Sequence, residues 1–359
     1  MTTTSLGESF EPLCVWMHRQ NAGAAGSYYR EKDRLGAAGD FITAPEISQI
    51  FGELLGAAAV DIWGQLGQPA SFVLAELGPG RGTLMADALR VAPPQFRQAM
   101  SLALVEINPH FRDLARAALA AYNPGFYPRV SALPNKGPLI VLANEFFDAL
   151  AIDQWRYQVG VRGVSDQNGK TGWQRRLIGA KTGQLGWSAP GPWPYRFPAP
   201  PQDAAPPIEV SVPSLAAVSH LARRIVRQGG AMVIVDYQGA GRGGGDSLRA
   251  IRNHRLVRWQ AVRDGDADLS AGVAFGALGW VATRRGAQVC GPVSQAQFLQ
   301  NLGLFARLTR LIQGQSADTA AALTHGARRL VHGMGQTYQA MTIYAPARIV
   351  PAGYGVRPS

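Results

Sequence analysis

Three glycines at alternate positions could form a ligand-binding turn: Gly78, Gly80 and Gly82. The apolar stretch 71–77 predicts a buried strand before them, and the apolar spacing over 84–91 predicts a helix after them. Such a turn lets backbone N–H groups approach a ligand, and the helix N-terminus adds positive potential. A dinucleotide fingerprint requires glycine where Thr83 stands, and a P-loop requires a lysine that is missing here. The turn therefore predicts a site for another ligand, with an ordinary strand-turn-helix junction as the alternative.

Acidic side chains close this predicted strand and the next one. Glu76 precedes the glycine turn, and Glu106 closes the predicted strand over 103–107. A carboxylate is a suitable acceptor for the two vicinal hydroxyls of a ribose. We therefore expect Glu106 to bind the ribose of a nucleoside-containing ligand; an ordinary surface acid is the alternative.

A third polar group, Asn144, Glu145 and Asp148, directly follows the apolar stretch 138–143. In an open α/β sheet, ligands bind beyond the carboxyl ends of the strands, which would bring this group to the same site. Two carboxylates could hold a planar guanidinium by bidentate hydrogen bonds and favour the loss of its proton. The pattern is consistent with positioning an arginine for attack on an electrophile. A helix N-terminus that happens to carry acids is the alternative.

The elements that would position these residues alternate along the chain. Apolar strands are predicted at 71–77, 103–107, 138–143 and 231–236, and helices between them at 84–91, 109–121 and 214–228. This alternation predicts an α/β fold whose mostly parallel sheet is covered by helices on both faces. Earlier in the chain, helical spacing appears over 8–22 and 47–62.

An insertion interrupts the alternation. Residues 155–178 have the pattern of a β-hairpin around a turn at 166–169. The following stretch, 187–208, is rich in proline and aromatic residues and cannot form a core strand or helix. It is expected to be either a cap over the site or a partly disordered flap.

Composition restricts the class of protein. The chain has 359 residues, a formal net charge of +11 and two cysteines, Cys14 and Cys290. No stretch is long and apolar enough for a membrane span, no signal peptide is readable, and no metal site is predicted. The basic residues are scattered, so nucleic acid is not the expected partner despite the charge. We expect a cytosolic protein, and the oligomeric state stays open, with a homodimer as one option.

The longer motifs resemble a known family. Glu76 with the three glycines is similar to motif I of class I methyltransferases, and the unusual strings 39–46 and 144–150 resemble the MidA family of that class. That family is linked to assembly of respiratory complex I. Further matching positions extend the resemblance over most of the chain: Tyr28-Tyr29, 51–53, Asp236-Tyr237, Leu248-Arg249 with His254, 268–270 and Met334-Gly335.

The resemblance implies a fold and an activity. The fold is a class I methyltransferase (Rossmann-like) α/β fold with a seven-stranded, mostly parallel sheet. The implied cofactor is S-adenosylmethionine, and the implied reaction is methylation of an arginine on a protein substrate, a complex I subunit near the quinone site. Glu145 and Asp148 would be catalytic. The expected cofactor-binding residues are Asp40, Thr43, Glu76, Gly78, Gly80, Gly82, Thr83, Glu106 and Asn144.

The pattern along the chain and the resemblance together predict three regions. Residues 1–70 are expected to form a helical extension that covers the cofactor site. Residues 71–152 and 209–359 would form the methyltransferase core, and 153–208 an inserted β-hairpin and cap. Asp40 and Thr43 lie in a glycine-flanked loop that would fold over the cofactor or be a plain turn.

The sequence departs from the family pattern at a few positions. Gln238 replaces a usual glycine and Ala151 a usual proline, while Gly272 and Ala274 replace a histidine and an aspartate. These losses keep an alternative open, an assembly factor that binds S-adenosylmethionine with little or no turnover. An RNA or small-molecule methyltransferase is a further alternative, although Asn144-Glu145 differs from the sequence expected for nucleic-acid base methylation.

Overall fold

The computed structural model describes residues 9–23, 27–31, 43–160, 170–204, 206–239 and 245–355. The strands are β1 (Phe10–Pro12), β2 (Phe72–Leu77), β3 (Met100–Val105), β4 (Gly125–Tyr127), β5 (Leu139–Asn144), β6 (Asp153–Gln158), β7 (Gly172–Gly179), β8 (Leu185–Trp187), β9 (Ile208–Val210), β10 (Gly230–Tyr237), β11 (Arg249–Arg252), β12 (Arg255–Val257), β13 (Asp268–Ser270), β14 (Gln288–Ser294) and β15 (Tyr338–Ala345). The helices are α1 (Leu13–Ala22), α2 (Tyr28–Glu31), α3 (Ala44–Ile47), α4 (Gln49–Gln65), α5 (Thr83–Val91), α6 (Pro94–Ala99), α7 (Pro109–Ala118), α8 (Val212–Gln228), α9 (Phe275–Arg284), α10 (Gln295–Asn301), α11 (Leu304–Ile312), α12 (Ala317–Arg328) and α13 (Met334–Thr337).

The chain forms two compact units. The larger, called the sheet unit here, comprises Lys32–Phe147, Leu215–Gln238 and Phe275–Ser359. The smaller, called the insert unit, comprises Met1–Glu31, Asp148–Ser214 and Gly239–Ala274. The insert unit therefore includes the region expected to be a hairpin and cap together with two segments outside it.

The sheet unit is built on a seven-stranded sheet in the order β14-β15-β10-β5-β2-β3-β4. Strands β4, β3, β2, β5 and β10 are parallel, and β15 is antiparallel to both of its neighbours. The predicted seven-stranded, mostly parallel α/β fold is confirmed. Because the chain builds β3 and β4 on one side of β2 and then returns to β5 on the other, the strand order reverses between β2 and β5. Open α/β sheets bind their ligands at the carboxyl edge of this reversal.

The strands at this reversal are apolar because both faces of the sheet are covered. Every residue of β2 and β5 is buried, as parallel strands between two helical layers require. On one side, α4 packs tightly on α5 through two glycines. A Cβ atom on Gly52 would lie 2.6 Å from Asp87 Cβ, and one on Gly56 would lie 2.5 Å from the Ala88 carbonyl oxygen.

The insert unit contains a five-stranded sheet and a three-stranded sheet. Strands β1, β7, β6 and β9 follow one another with β8 beside β7, and β12, β11 and β13 form the second sheet. The helix predicted over 8–22 begins only at Leu13, because Phe10–Pro12 pairs with β7. Pro12 explains the boundary: it lacks an N–H, and it disfavours the helical conformation of the residue before it.

The predicted hairpin is present as the antiparallel pair β6 and β7, with Trp155 opposite Arg175; the turn at 166–169 lies outside the described residues. Between β8 and β9 the described residues form no helix or strand, as the prolines predict. Trp193 instead packs its ring 5.5 Å from that of Trp155 and 4.9 Å from that of Trp173. The proline-rich segment thus lies against the aromatic side chains of its own unit.

None of the helices in the described part of the chain combines the length and apolar character of a membrane span. No group of three or more His, Cys, Asp or Glu side chains among these residues could hold a metal ion. Cys14 and Cys290 are both free thiols.

Candidate functional site

The glycine turn lies at the carboxyl end of β2. Gly78, Gly80 and Gly82 have φ values of 65°, 53° and 83°, a left-handed region that side chains with a Cβ rarely adopt. Gly78 N–H donates to the Val105 carbonyl at 2.9 Å, and Gly82 N–H donates to the Pro79 carbonyl at 2.8 Å. The first bond ties the turn to the end of β3, and the second closes it before α5 begins. The three positions therefore need glycine for the turn itself.

Glu76 is buried immediately before the end of β2, with 3% of its surface exposed. Its Oε2 atom has no hydrogen-bond partner among the described residues. Burial, with a smaller contribution from the charge of Glu106, raises the pKa of Glu76 to about 8. A buried acceptor without a donor is costly, so this oxygen fits a cationic donor from a ligand. The ammonium of the methionine part of S-adenosylmethionine is such a donor.

Glu106 follows β3 and is also buried. Its Oε1 accepts hydrogen bonds from the backbone N–H groups of Ile107 at 2.7 Å and Asn108 at 2.8 Å. Burial raises the pKa of this carboxyl group, while backbone N–H groups of Asn108, Ile107 and Gly80 act in the opposite direction. These bonds fix the orientation of the carboxylate beside the glycine turn, as an acceptor for ribose hydroxyls requires.

Glu145 follows β5 with a φ of 49°, unusual for a residue with a side chain. Its Oε1 accepts hydrogen bonds from the Ala44 N–H at 3.3 Å and the Asn144 Nδ2 at 3.1 Å. Its Oε2 accepts a hydrogen bond from the Tyr338 hydroxyl at 3.2 Å. Three donors from three separate parts of the sheet unit thus hold the carboxylate in place. Strained backbone that surrounding contacts maintain is typical of functional positions.

The surroundings of Glu145 have opposing effects on the pKa of its carboxyl group. Burial raises its pKa, and the hydrogen bonds from Ala44, Asn144 and Tyr338 lower it. The neighbouring Asn144 has a buried Oδ1 atom without a hydrogen-bond partner in the described part of the chain. This second unsatisfied acceptor is on the last residue of β5, the strand beside β2, and it also fits a ligand that donates hydrogen bonds.

A buried carboxylate on the next strand fixes the turn after β5. Asp236, at the end of β10, accepts hydrogen bonds through Oδ2 from the backbone N–H of Phe146 at 3.2 Å and of Phe147 at 2.8 Å. The aspartate is fully buried. Asp236 therefore stabilises the backbone that follows Glu145. This contact is a structural role for the aspartate of the matching Asp236-Tyr237 string.

Asp148 belongs to the insert unit, whereas Glu145 belongs to the sheet unit. The contacts of Asp148 are therefore given within its own unit. Its carbonyl oxygen accepts a hydrogen bond from the Ala271 N–H at 2.9 Å. The Tyr29 hydroxyl donates to Asp268. Burial, followed by the charges of Asp268 and Asp148, raises the pKa of Tyr29 well above its ordinary value. Asp148 thus lies with Asp268 and Tyr29, two side chains within the matching strings that had no predicted role.

The short helix α3 carries the other predicted cofactor contacts. Thr43 directly precedes it, while Asp40 lies outside the described residues. The Thr83 hydroxyl, at the start of α5, donates to Glu46 Oε1 at 2.7 Å. The described contact of Thr83 is therefore with α3, and Glu46 joins the site as a residue that sequence reasoning had not selected.

Tyr338 and Glu46 were missed because no local spacing indicates them. Tyr338 is the first residue of β15 and reaches Glu145 only through the sheet order, 193 residues away in sequence. Glu46 belongs to the matching string 39–46, and this resemblance was the one available signal. Of the positions that depart from the family pattern, Gly272 donates its N–H to Ser247 Oγ at 2.8 Å within the insert unit.

Comparison with curated proteins identifies close relatives. Drosophila melanogaster "Protein arginine methyltransferase NDUFAF7 homolog, mitochondrial" is 34% identical over 84% of this chain and 73% of its own. The Danio rerio protein arginine methyltransferase NDUFAF7 is 32% identical over 90% of this chain and 80% of its own. The Homo sapiens protein of that name is 32% identical over 85% of this chain and 73% of its own.

The fold has counterparts among solved structures. A protein from Burkholderia thailandensis, described as a "likely methyl transferase" and bound to S-adenosyl-homocysteine, superposes with a TM-score of 0.74. The match covers 94% of this chain and 88% of that one at 21% identity. A native structure of an uncharacterised protein from the same organism gives a TM-score of 0.71 at 22% identity. At these identities the superpositions establish the methyltransferase fold.

The comparisons correct one expectation. The prediction of a cytosolic location is wrong, because the relatives from fly, zebrafish and human are all named as mitochondrial proteins. The prediction rested on the low cysteine count and the lack of a readable signal peptide. Neither feature distinguishes the cytosol from a mitochondrion.

A family profile matches the central part of the chain. The family is described as "Putative S-adenosyl-L-methionine-dependent methyltransferase", and the match spans residues 54–293. This range contains the glycine turn, Glu106 and Glu145, and it amounts to more than half of the chain. The relatives align over a still larger share. The chain therefore belongs to this family of S-adenosylmethionine-dependent methyltransferases, as its resemblance to the MidA proteins predicted.

Proposed function

We propose that this methyltransferase methylates an arginine side chain of a protein substrate, and that the substrate is a subunit of respiratory complex I. The observation that carries the proposal is the carboxylate of Glu145, fixed by three donors after β5. A fixed carboxylate at this edge of the sheet suits a guanidinium, whose planar donors match its two oxygens. The relatives are named protein arginine methyltransferases, which supports arginine as the methylated residue. The resemblance to the MidA family supports a complex I subunit as the substrate.

The cofactor-binding roles are proposed for residues at the carboxyl ends of β2, β3 and β5. When bound, S-adenosylmethionine supplies an electrophilic methyl group on a positively charged sulfur. Glu76 would accept a hydrogen bond from the ammonium of its methionine part, which satisfies the buried Oε2. The N–H groups of the glycine turn would bind that same part, and Glu106 would accept hydrogen bonds from the ribose. Asn144 would take a further donor on its buried Oδ1.

The proposed role of Glu145 has two parts. First, its carboxylate orients the guanidinium, so that one nitrogen faces the methyl carbon in line with the bond that breaks. Second, it accepts the proton that this nitrogen loses as the new N–C bond forms. An arginine keeps its proton in water, and a neighbouring carboxylate lowers the barrier to that loss. Tyr338, Asn144 and Ala44 act as positioning residues because they hold the carboxylate in one orientation.

Asp148 remains the second predicted contact of the guanidinium. The support for this role is the sequence pattern after β5. In the structure, the described contacts of Asp148 are with residues of the insert unit. Asp40 and Thr43 likewise remain predicted cofactor contacts. The Thr83 hydroxyl donates a hydrogen bond to Glu46. We propose that Thr83 affects cofactor binding by fixing the position of the glycine turn.

The experiment uses a cofactor with a labelled methyl group and an extract from a strain that lacks this gene. The full-length protein should transfer label to one extract protein, and mass spectrometry should locate it on an arginine of a complex I subunit. Glu76→Gln, which removes the proposed ammonium contact, serves as the control for transfer that depends on the bound cofactor. Label on lysine, on RNA or on a small molecule would contradict the proposed substrate. Cofactor binding without any transfer would contradict turnover.

A further inference from the structure

A cavity of about 230 Å³ lies in the sheet unit, away from the glycine turn. One of its walls comes from the segment before β5, and the other comes from α8. Because β5 begins at Leu139 and α8 leads into β10 at Gly230, both walls lie near the amino ends of parallel strands. The cavity is therefore at the edge of the sheet opposite the proposed methyl-transfer site. Its lining residues are Ser131, Leu133, Asn135, His220, Arg223, Arg224 and Arg227.

The wall from α8 is strongly basic. His220, Arg223, Arg224 and Arg227 are spaced by three and four residues, which places them on one face of the helix. None of these three arginines forms an ion pair with a residue that the structure describes. Burial lowers the pKa of His220, and the charges of the three arginines lower it further. The lining thus carries positive charge that the described residues do not compensate.

Arg224 is the most informative residue of this wall because only 5% of its surface is exposed. Its Nε donates to Gln228 Oε1 at 2.9 Å, and Gln228 Nε2 donates in turn to Asn135 Oδ1 at 2.9 Å. The guanidinium is therefore held in one orientation between the two walls. Its Nη2 is buried without a hydrogen-bond partner in the described part of the chain. A buried cation without an anion is costly in a folded protein, unless a ligand completes the site.

We propose that this cavity binds a small anion with one or two phosphate groups. Guanidinium N–H groups are strong donors to phosphate oxygens, and Arg224 presents its Nη2 from a fixed position. The two exposed arginines beside it would complete the cluster around the anion. The volume is below the ~300 Å³ at which pockets begin to accept drug-sized ligands, which favours a phosphate or pyrophosphate over a whole nucleotide. This site is independent of methyl transfer.

The test is calorimetric titration of the full-length protein with inorganic phosphate and with pyrophosphate at constant ionic strength. We expect saturable binding that chloride does not reproduce. Arg224→Gln should weaken it by about tenfold or more, the usual effect of losing a hydrogen bond between charged groups. Arg310→Gln, which removes the same charge from an exposed position on α11, should leave the affinity unchanged.

A second variant keeps the test decisive if Arg224→Gln does not fold. Arg223→Gln combined with Arg227→Gln changes only exposed side chains, so the Tm in the absence of anions should stay within a few degrees of the wild type. The double variant should also bind pyrophosphate at least tenfold more weakly. Equal affinity in all variants, or no saturable binding by wild type, would overturn the proposal. Binding only to phosphatidylcholine vesicles that contain phosphatidic acid would overturn it as well, because it would assign the basic wall to a lipid surface.

Discussion

The hydroxyl of Tyr338 donates to the carboxylate of Glu145 across 3.2 Å. Tyr338 opens β15, the strand that runs antiparallel to β10, and Glu145 follows β5 on the other side of β10. An antiparallel strand brings its amino end to the edge where its parallel neighbours have their carboxyl ends. The reversed direction of β15 therefore delivers a hydroxyl donor to the candidate site.

Replacement of Tyr338 by phenylalanine tests this relationship. The variant loses one of the three donors that hold Glu145, so we expect kcat for methyl transfer to fall about tenfold or more. Cofactor affinity should not change, because Tyr338 is assigned to the carboxylate and not to the cofactor. Tyr344→Phe removes a hydroxyl from the same strand, where it accepts from Cys290 Sγ, and serves as the control. An unchanged kcat in Tyr338→Phe would show that this contact does not position Glu145.

Glu76→Gln is expected to separate stability from cofactor binding. The folded-state pKa of about 8 lies above the ordinary value of about 4.3 for an unfolded chain. Between these values the folded protein holds a proton that the unfolded chain has lost, so this group makes stability fall as pH rises toward 8. Glutamine removes this dependence. Without cofactor, the Tm of the variant should exceed that of wild type at pH 8, and the difference should shrink toward pH 5.

Although Glu76→Gln should be more stable than wild type at pH 8, it should bind the cofactor more weakly. We expect a loss of affinity of about a hundredfold, because the ammonium contact loses its charged acceptor. Thermal unfolding and calorimetry measure the two effects on the same sample. Asp113→Asn, which changes an exposed carboxylate of α7, is the control and should alter neither quantity. A variant with normal affinity would remove Glu76 from the cofactor site.

Two glycines of α4 give a matched test of helix packing. A Cβ atom on Gly56 would lie 2.5 Å from the Ala88 carbonyl oxygen, whereas one on Gly64 would meet nothing within 4 Å. We expect Gly56→Ala to destabilise the protein by about 1–3 kcal/mol through overpacking against α5. Gly64→Ala should be neutral or stabilising by up to about 1 kcal/mol, because alanine favours the helix. Chemical denaturation measures both; equal effects would mean that close approach of α4 and α5 does not require Gly56.

The buried carboxylate of Glu53 provides a prediction about stability. Arg307 binds it in a bidentate manner, with Nε 2.8 Å from Oε2 and Nη2 2.9 Å from Oε1. Arg307→Ala should cost about 3 kcal/mol of unfolding free energy, since it leaves a buried carboxylate with weaker partners. The double variant Glu53→Leu with Arg307→Leu should cost less than this single change. A double variant that is less stable than Arg307→Ala would contradict this assignment of the cost to an unpaired charge.

The sequence predicted those parts of the fold that depend on local pattern. The apolar runs gave β2, β5 and β10, and the glycines at 78, 80 and 82 indicated a turn that needs left-handed backbone. The start of the first helix was predicted too early, because Phe10–Pro12 gains its hydrogen bonds from β7, about 165 residues later. A pattern along one segment does not reveal a partner so distant in the chain.

The site was predictable where each residue directly follows a strand. Glu76, Glu106 and Glu145 lie at the carboxyl edge as expected, and their assigned roles remain proposals. The donors that hold Glu145 were not predictable, because Ala44 contributes a backbone N–H and Tyr338 comes from another strand. Neither residue type suggests chemistry by itself, and their contribution depends on the tertiary fold.

The most direct test of the account compares wild type and Glu145→Gln for methyl transfer to the arginine of the substrate. Cofactor affinity is measured on the same preparations. Glutamine preserves the shape of the side chain but can neither balance the charge of the guanidinium nor accept its proton. We predict that the rate of transfer falls by at least about a thousandfold, while cofactor affinity stays within about threefold of wild type. Transfer at the wild-type rate, or a comparable loss of cofactor affinity, would contradict the catalytic role of Glu145.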